Sequence, residues 1–280
     1  MISTGISFKN FKSKKIKSSL VRKKLTTLIK EKNEILKSLS KDYKNNFNHK
    51  NLKKFKKSLD CRVIGMGGSS LGAKAIYDFL RHKIKKRFFF IDNLKINNTE
   101  KKKKNHNNLI ISKSGNTIET IVNVNLLIKK QDQNILITEN KKNYLNLLAE
   151  KLKADIIRHN DYIGGRYSVL SEVGMLPADL MGLNINNFKQ LNYLIKNKSF
   201  FNNLISNVSS TLYFIRNKKF NSIILNYDEK SDSLFKWYQQ LIAESLGKKK
   251  SGILPVISNM PKDNHSVMQL YLDGFKNNFF

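Results

Sequence analysis

A short apolar run that changes abruptly into glycines and serines is the first stretch of this sequence that could do chemistry. Residues 62–72 read RVIGMGGSSLG, and apolar residues then recur at helical spacing. The pattern predicts a buried strand, a tight loop and a helix start, where backbone N–H groups and hydroxyls bind anions well. We therefore expect this loop to contact a phosphate, with the glycines allowing a close backbone approach and Ser69 and Ser70 adding hydroxyl donors. A tight turn without a ligand explains this loop equally well when it is considered alone.

A second loop of the same kind lies at residues 112–117, SKSGNT, and also follows an apolar run. Asn116 or Thr117 can cap the helix that the next residues predict. A simple helix cap would explain this one loop. Two such loops at the carboxyl ends of parallel strands would converge on one place, which favours a phosphate site.

Short apolar runs alternate with helical patterns from Cys61 onward. The predicted strands are 63–66, 88–91, 109–111, 135–138 and 156–157, and the predicted helices lie near 69–83, 117–130 and 142–152. This alternation predicts an α/β fold with a mostly parallel sheet that is flanked by helices on both faces. In such folds ligands bind outside the carboxyl ends of the strands.

Composition and charge limit the classes of function. Lysine and arginine exceed aspartate and glutamate by 52 − 21 = 31. The excess is scattered lysine without a nucleic-acid-binding motif, so a solvated surface is favoured over nucleic-acid binding. A single cysteine, Cys61, fits a reducing compartment. With no apolar run of about 20 residues and no signal-peptide pattern, we expect a cytoplasmic protein that does not bind membranes.

Five ordered motifs resemble the glucose-6-phosphate isomerase family, whose domains are of the sugar-isomerase (SIS) type. They are the two loops above, residues 164–178 (GGRYSVLSEVGMLPA), residues 237–248 (WYQQLIAESLGK) and residues 263–270 (DNHSVMQL). The resemblance covers the chain from about residue 60 to its end. It implies a flavodoxin-like three-layer sandwich, followed by a second, incomplete SIS domain.

The resemblance also implies a reaction and residue roles. The reaction is the interconversion of glucose 6-phosphate and fructose 6-phosphate through ring opening and an enediolate, in glycolysis and gluconeogenesis. The implied catalytic residues are Glu244, His265 and Arg166. The implied substrate-binding residues are Gly68, Ser69, Ser112, Lys113, Ser114, Gly115, Asn116, Thr117 and Gln240. No metal or other cofactor is implied, and the expected assembly is a homodimer in which His265 comes from the neighbouring subunit.

The same three catalytic candidates have simpler interpretations from the residues alone. Arg166 follows two glycines and could stabilise an oxyanion, but a structural ion pair would be the commoner role. Glu244 lies one helical turn after Gln240, yet most helical glutamates are solvated. His265 could move a proton at neutral pH, although a lone histidine in a polar loop usually has no function.

The domain prediction divides the chain into a basic helical arm at 1–50, a first SIS domain at 51–195 and part of a second SIS domain at 196–280. Leu20, Leu25 and Leu28 are among the apolar positions that predict amphipathic helices in the arm. The family continues beyond the histidine motif with a lysine-bearing segment that is not matched here. We therefore expect a truncated reading of a longer isomerase, and feeble or absent activity of the 280-residue chain itself.

Three alternative functions remain at this point. A non-catalytic sugar-phosphate-binding SIS module would need the loops but not Glu244, Arg166 and His265 together. An isomerase that also accepts mannose 6-phosphate would share every motif. A basic nucleic-acid-associated protein is the least favoured, and a salt titration against duplex DNA would identify it.

Overall fold

The computed structural model describes residues 18–47, 52–94 and 105–280. The chain divides into two compact units. The larger unit comprises residues 43–188 and 228–241, and the smaller unit comprises the N-terminal residues up to Asp42 with 189–227 and 242–280. Among the described residues, no helix is both long and apolar enough to span a bilayer.

Helices and strands follow one another in chain order. The helices are α1 (Ser18–Lys30), α2 (Glu34–Ser38), α3 (Lys53–Lys57), α4 (Leu71–Phe79), α5 (Ile118–Leu127), α6 (Tyr144–Leu152), α7 (Glu172–Leu180), α8 (Leu191–Lys196), α9 (Lys198–Arg216), α10 (Asp232–Leu246) and α11 (Met268–Asp273). The strands are β1 (Asp60–Ile64), β2 (Arg87–Ile91), β3 (Asn107–Ile111), β4 (Gln133–Thr138), β5 (Asp155–Arg158), β6 (Asn221–Asn226), β7 (Leu254–Asn259) and β8 (Asn278–Phe279).

The larger unit is built on a five-stranded sheet with the order β2-β1-β3-β4-β5, and every strand pair is parallel. This is the flavodoxin-like order, so the α/β prediction is confirmed. The chain leaves β1 to one side to form β2 and returns on the other side to form β3. The carboxyl ends of β1 and β3 therefore flank the point where the strand order reverses, which is the usual ligand crevice of such sheets.

Apolar side chains fill both faces of this sheet, as expected for parallel strands covered by helices. On one face Val63, Leu109 and Ile137 pack with residues of α7, and on the other face Ile64, Ile110 and Leu136 pack with residues of α5 and α6. Cys61 lies in the first core, where burial raises the pKa of its thiol to about 12. A thiol in that state is a small apolar side chain rather than a nucleophile.

The smaller unit contains a three-stranded parallel sheet with the order β7-β6-β8. Within this unit α1 lies near α9, where Arg22 donates to Asn202 Oδ1 at 2.7 Å. The helical arm that we predicted at 1–50 includes residues 1–17 and 48–50, which lie outside the described residues. The predicted domain bounds stay a prediction.

Candidate functional site

The first glycine loop begins where β1 ends at Ile64. The Gly65 N–H still donates to Ile91 O of β2, at 3.2 Å, and the chain then forms a 3₁₀ turn at Gly67–Ser69. Gly67 has a φ of +53°, a backbone conformation that glycine adopts without cost. Helix α4 starts at Leu71, and its N-cap residue Ser70 makes no side-chain capping bond. The predicted strand end at Met66 was therefore two residues too late.

Gly68 brings this loop into backbone contact with the segment that follows β5. A Cβ atom at Gly68 would lie 2.3 Å from the carbonyl carbon of Gly165 and 2.8 Å from Arg166 N. The buried Ser168 hydroxyl donates to Gly68 O at 3.3 Å and to Gly165 O at 2.7 Å. The close approach explains why this position needs glycine.

Arg166 lies at the start of the 3₁₀ helix Gly165–Leu170. Its guanidinium carbon is 4.6 Å from the centre of the Tyr167 ring, within cation–π range. Its backbone carbonyl accepts a hydrogen bond from Trp237 Nε1 of α10 at 3.3 Å. Two aromatic residues therefore fix the side chain and the backbone of Arg166.

Gln240 lies one turn after Trp237 on α10 and reaches the first glycine loop. A Cβ atom at Gly67 would lie 2.9 Å from Gln240 Nε2. Gly67, Gly68, Arg166 and Gln240 thus converge in the larger unit, although the sequence separates them by as many as 173 positions (240 − 67). The fold therefore brings three predicted site residues, Gly68, Arg166 and Gln240, to one place.

The second loop, at residues 112–117, follows β3 and has its own internal bonds. Ser112 Oγ and Thr117 Oγ1 are 2.9 Å apart, and Ser112 Oγ also accepts from the Gly115 N–H at 3.2 Å. Thr117 is the N-cap residue of α5, but its side chain makes no capping bond to that helix. Asn116 Oδ1 instead accepts from the Tyr144 N–H at the start of α6. The loop therefore presents hydroxyl groups beside a helix N-terminus that Thr117 does not cap.

Lys113 points its ammonium group towards the segment after β5. Lys113 Nζ donates to Asp161 O at 2.5 Å and to Ile163 O at 3.1 Å. Its backbone carbonyl accepts from Thr138 Oγ1 of β4 at 3.1 Å. Lys113 is therefore held at the edge of the second loop by backbone carbonyls.

The two loops emerge from neighbouring strands. Ile64 pairs with Ile110 in the register of β1 and β3, and a Cβ atom at Gly65 would lie 2.8 Å from Ile111 O. Both loops therefore start side by side at the switch point of the sheet. This is the arrangement expected of an anion site in an open α/β fold.

Two catalytic candidates belong to the smaller unit. Glu244 lies on the last turns of α10, four residues after Gln240, and is exposed. His265 ends a 3₁₀ helix at Lys262–His265 and is also exposed. Within the described parts of the chain, no cluster of three or more His, Cys, Asp or Glu side chains could hold a metal ion.

The sequence did not reveal a buried charged contact behind the Arg166 segment. His159 Nδ1 lies 3.4 Å from Glu172 Oε2, and both side chains are fully buried. No motif marks His159, and Glu172 lies within the motif at 164–178 without an implied role. Glu172 could have been singled out only by its burial, and burial cannot be read from the residue type at a single position.

Comparison with known proteins gives the family. A model of the phosphoglucose isomerase family matches residues 22–258. The chain belongs to this family. It is 37% identical over 235 residues to a glucose-6-phosphate isomerase of Methanocaldococcus jannaschii, with 76% of this chain and 57% of the relative covered. A Fusobacterium nucleatum glucose-6-phosphate isomerase is 30% identical over 248 residues, with 77% and 54% covered. The chain thus spans just over half the length of these relatives.

Solved structures support the fold. A hypothetical protein from Thermus thermophilus aligns with a TM-score of 0.73 at 23% identity, over 94% of this chain and 69% of that one. A tagatose-6-phosphate ketose/aldose isomerase from Escherichia coli aligns with a TM-score of 0.51 at 15% identity, over 90% and 67%. The predicted SIS-type architecture is confirmed by these similarities.

The phosphoglucose isomerase match includes both loops, Arg166, Gln240 and Glu244, but ends before His265. The resemblance of residues 263–270 to the family therefore rests on the motif alone. The roles of all the site residues stay predictions.

Proposed function

We propose that the protein interconverts glucose 6-phosphate and fructose 6-phosphate, and that this chain carries the phosphate-binding part of its active site. The observation that best supports the proposal is the convergence of two hydroxyl- and glycine-rich loops at the switch point of a parallel sheet. Gln240 and the Arg166 segment pack against the first of them. The chain belongs to a family in which this reaction is the expected one.

The phosphate group of the substrate would be bound without a metal ion. Ser112, Ser114 and Thr117 supply hydroxyl donors, and the first turn of α5 supplies backbone N–H groups that Thr117 does not cap. Gly68 and Ser69 would contact the ligand through the loop backbone and a further hydroxyl. Lys113 adds a positive charge at the edge, while Gly115 and Asn116 shape the second loop.

The isomerisation itself would be general acid–base chemistry. After His265 has assisted ring opening, the Glu244 carboxylate removes the proton from C2 of the open-chain aldose. The C1–C2 double bond then forms, and the electrons of the C1 carbonyl move to its oxygen, where the Arg166 guanidinium stabilises the negative charge. Glu244 returns the proton to C1, and the proton of the O2 hydroxyl passes to O1, so that a C2 ketone and a C1 hydroxyl form. Gln240 would orient the sugar.

The proposal includes a homodimer in which His265 is contributed by the partner subunit, and a cytoplasmic location. Sedimentation analysis of the protein would test the first, and cell fractionation would test the second. Discrimination between glucose 6-phosphate and mannose 6-phosphate is a separate question, which a comparison of isomerase rates with the two substrates answers.

Isotope exchange tests the chemistry even where turnover is slow. The chain is incubated with glucose 6-phosphate in D2O, and NMR follows fructose 6-phosphate formation and the incorporation of deuterium at C1 of fructose 6-phosphate and at C2 of glucose 6-phosphate. Because an open active site can cost about a hundredfold, we expect slow incorporation. Glu244→Gln should abolish it while leaving glucose 6-phosphate binding close to intact, because the amide cannot accept the C2 proton. Incorporation that is equal in both proteins would contradict the assignment of Glu244 as the base.

A further inference from the structure

A buried pair of side chains brackets the segment that carries Arg166. His159 follows the carboxyl end of β5, and Glu172 opens α7. Between them run the loop at 160–164 and the 3₁₀ helix Gly165–Leu170. The side chains of His159 and Glu172 are both 0% exposed, which is unusual for ionisable side chains unless they are paired.

Each ring nitrogen of His159 faces an acceptor. Nε2 is 2.9 Å from Ile163 O, and Nδ1 is 3.4 Å from Glu172 Oε2. Among the described residues, neither Nδ1 nor Oε2 makes a hydrogen bond of normal geometry, so the 3.4 Å contact is the nearest polar interaction between the ring and the carboxylate. The carboxylate is therefore the group that this edge of the ring faces.

The other carboxylate oxygen of Glu172 accepts hydrogen bonds from residues that lie far from it in the sequence. Glu172 Oε1 accepts from Tyr43 OH at 2.8 Å and from the Asn46 N–H at 3.2 Å. Burial by itself would raise the pKa of Glu172, but the interactions with His159 and Tyr43 outweigh it and lower that pKa. The carboxylate is therefore ionised and fixed from both sides at neutral pH.

The carbonyl of Ile163 connects this pair to the second loop. It accepts from His159 Nε2 at 2.9 Å and from Lys113 Nζ at 3.1 Å. We propose that His159 and Glu172 are positioning residues, which hold the Ile163 carbonyl in place for Lys113 and fix the two ends of the segment that carries Arg166. The consequence for ligand binding rests on the proposed function, whereas the positioning of Lys113 does not.

Two substitutions at one position separate this role from general stability. Glutamine places its amide nitrogen near the position of Nε2 and can still donate to Ile163 O, whereas asparagine mimics Nδ1 and can face only Glu172. His159→Gln and His159→Asn both remove the imidazole and should both lower the melting temperature. Ile84→Ala, a buried site near the amino end of β2, is the matched control for lost stability.

The first measurement needs no ligand. Acetylation of Lys113 by acetic anhydride is followed by mass spectrometry, with the exposed lysines as internal references. We expect about tenfold faster modification in His159→Asn, the effect of losing one hydrogen bond that fixes a charged group, and a wild-type rate in His159→Gln. Tyr43→Phe, which removes one bond to Glu172, should show a smaller increase and decides the matter if His159→Asn does not fold.

The second measurement is glucose 6-phosphate binding by calorimetry. His159→Asn, in which Lys113 is expected to be modified faster, should bind glucose 6-phosphate more weakly than His159→Gln. Equal Lys113 rates in the two variants, or an increase of the same size in Ile84→Ala, would overturn the positioning role. If the Lys113 rates behave as expected but the wild-type chain does not bind glucose 6-phosphate, the proposed function fails and the positioning role stands.

Discussion

At Gly68 a backbone contact requires glycine. The space for a Cβ atom differs between Gly68 and Gly164. A Cβ at Gly68 would overlap the Gly165 backbone at 2.3 Å, whereas the nearest atom to a Cβ at Gly164 is a Tyr167 side-chain carbon at 3.6 Å. The two positions therefore form a natural pair for substitution.

Gly68→Ala should separate the first loop from the Arg166 segment. We expect a loss of about 1–3 kcal/mol in the free energy of unfolding, typical of overpacking, together with weaker glucose 6-phosphate binding. Gly164→Ala should stay close to wild type in both, since its φ of −69° suits alanine. Chemical denaturation and calorimetry measure the two effects. Equal behaviour of the two variants would show that the close contact at Gly68 is unimportant.

Glu172 gives a pH-dependent stability with a definite sign. Its pKa in the folded protein is lowered from the ordinary 4.5, so its contribution is fully present above that value and is lost as the pH falls towards the folded pKa. Glu172→Gln should therefore flatten the decline of unfolding free energy below pH 4.5, and Tyr43→Phe should give an intermediate slope. Urea titrations at several acidic pH values test this. A slope unchanged by Glu172→Gln would mean that the carboxylate is not stabilised in the fold.

At the scale of elements, helix α10 brings Gln240, the residue predicted to position the sugar, to the first loop. Trp237 is the single tryptophan of the chain and donates to Arg166 O. Its fluorescence should therefore change when glucose 6-phosphate binds near Arg166 and stay constant with glucose. Trp237→Phe should keep most of the binding, because the lost hydrogen bond is worth about 0.5–1.5 kcal/mol. Binding that leaves the fluorescence unchanged would place the ligand away from the Arg166 segment.

The strands could be predicted because buried parallel strands read as short apolar runs, and all five predicted runs overlap strands of the larger sheet. Their bounds were less accurate, since β3 and β4 begin with polar residues such as Asn108 and Asn134, which are buried and bond to each other. The two loops were predictable from glycine and hydroxyl spacing. The His159 and Glu172 contact was not, because it depends on the path of the chain between two elements rather than on any local pattern.

At the scale of the whole molecule, the family is shown by sequence, but the chain spans only 54–57% of the relatives it matches. The larger unit contains both loops, Arg166 and Gln240, while Glu244 and His265 belong to the smaller unit. The net charge of +31 favours the approach of an anionic sugar phosphate over a neutral sugar. The central claim is therefore that the larger unit recognises the phosphate group.

Calorimetry with glucose 6-phosphate and glucose tests that claim most directly. We predict that the chain binds the phosphate ester far more tightly than the free sugar. Ser112→Ala combined with Thr117→Ala should weaken that binding by roughly 1–1.5 kcal/mol for each lost hydrogen bond, and by more where the acceptor is charged. Thr27→Ala with Thr211→Ala is the matched control and should bind as wild type does, because these two hydroxyls donate to backbone carbonyls of their own helices in the smaller unit. Equal affinity for glucose and glucose 6-phosphate, or full binding by the Ser112 and Thr117 double variant, would contradict the account.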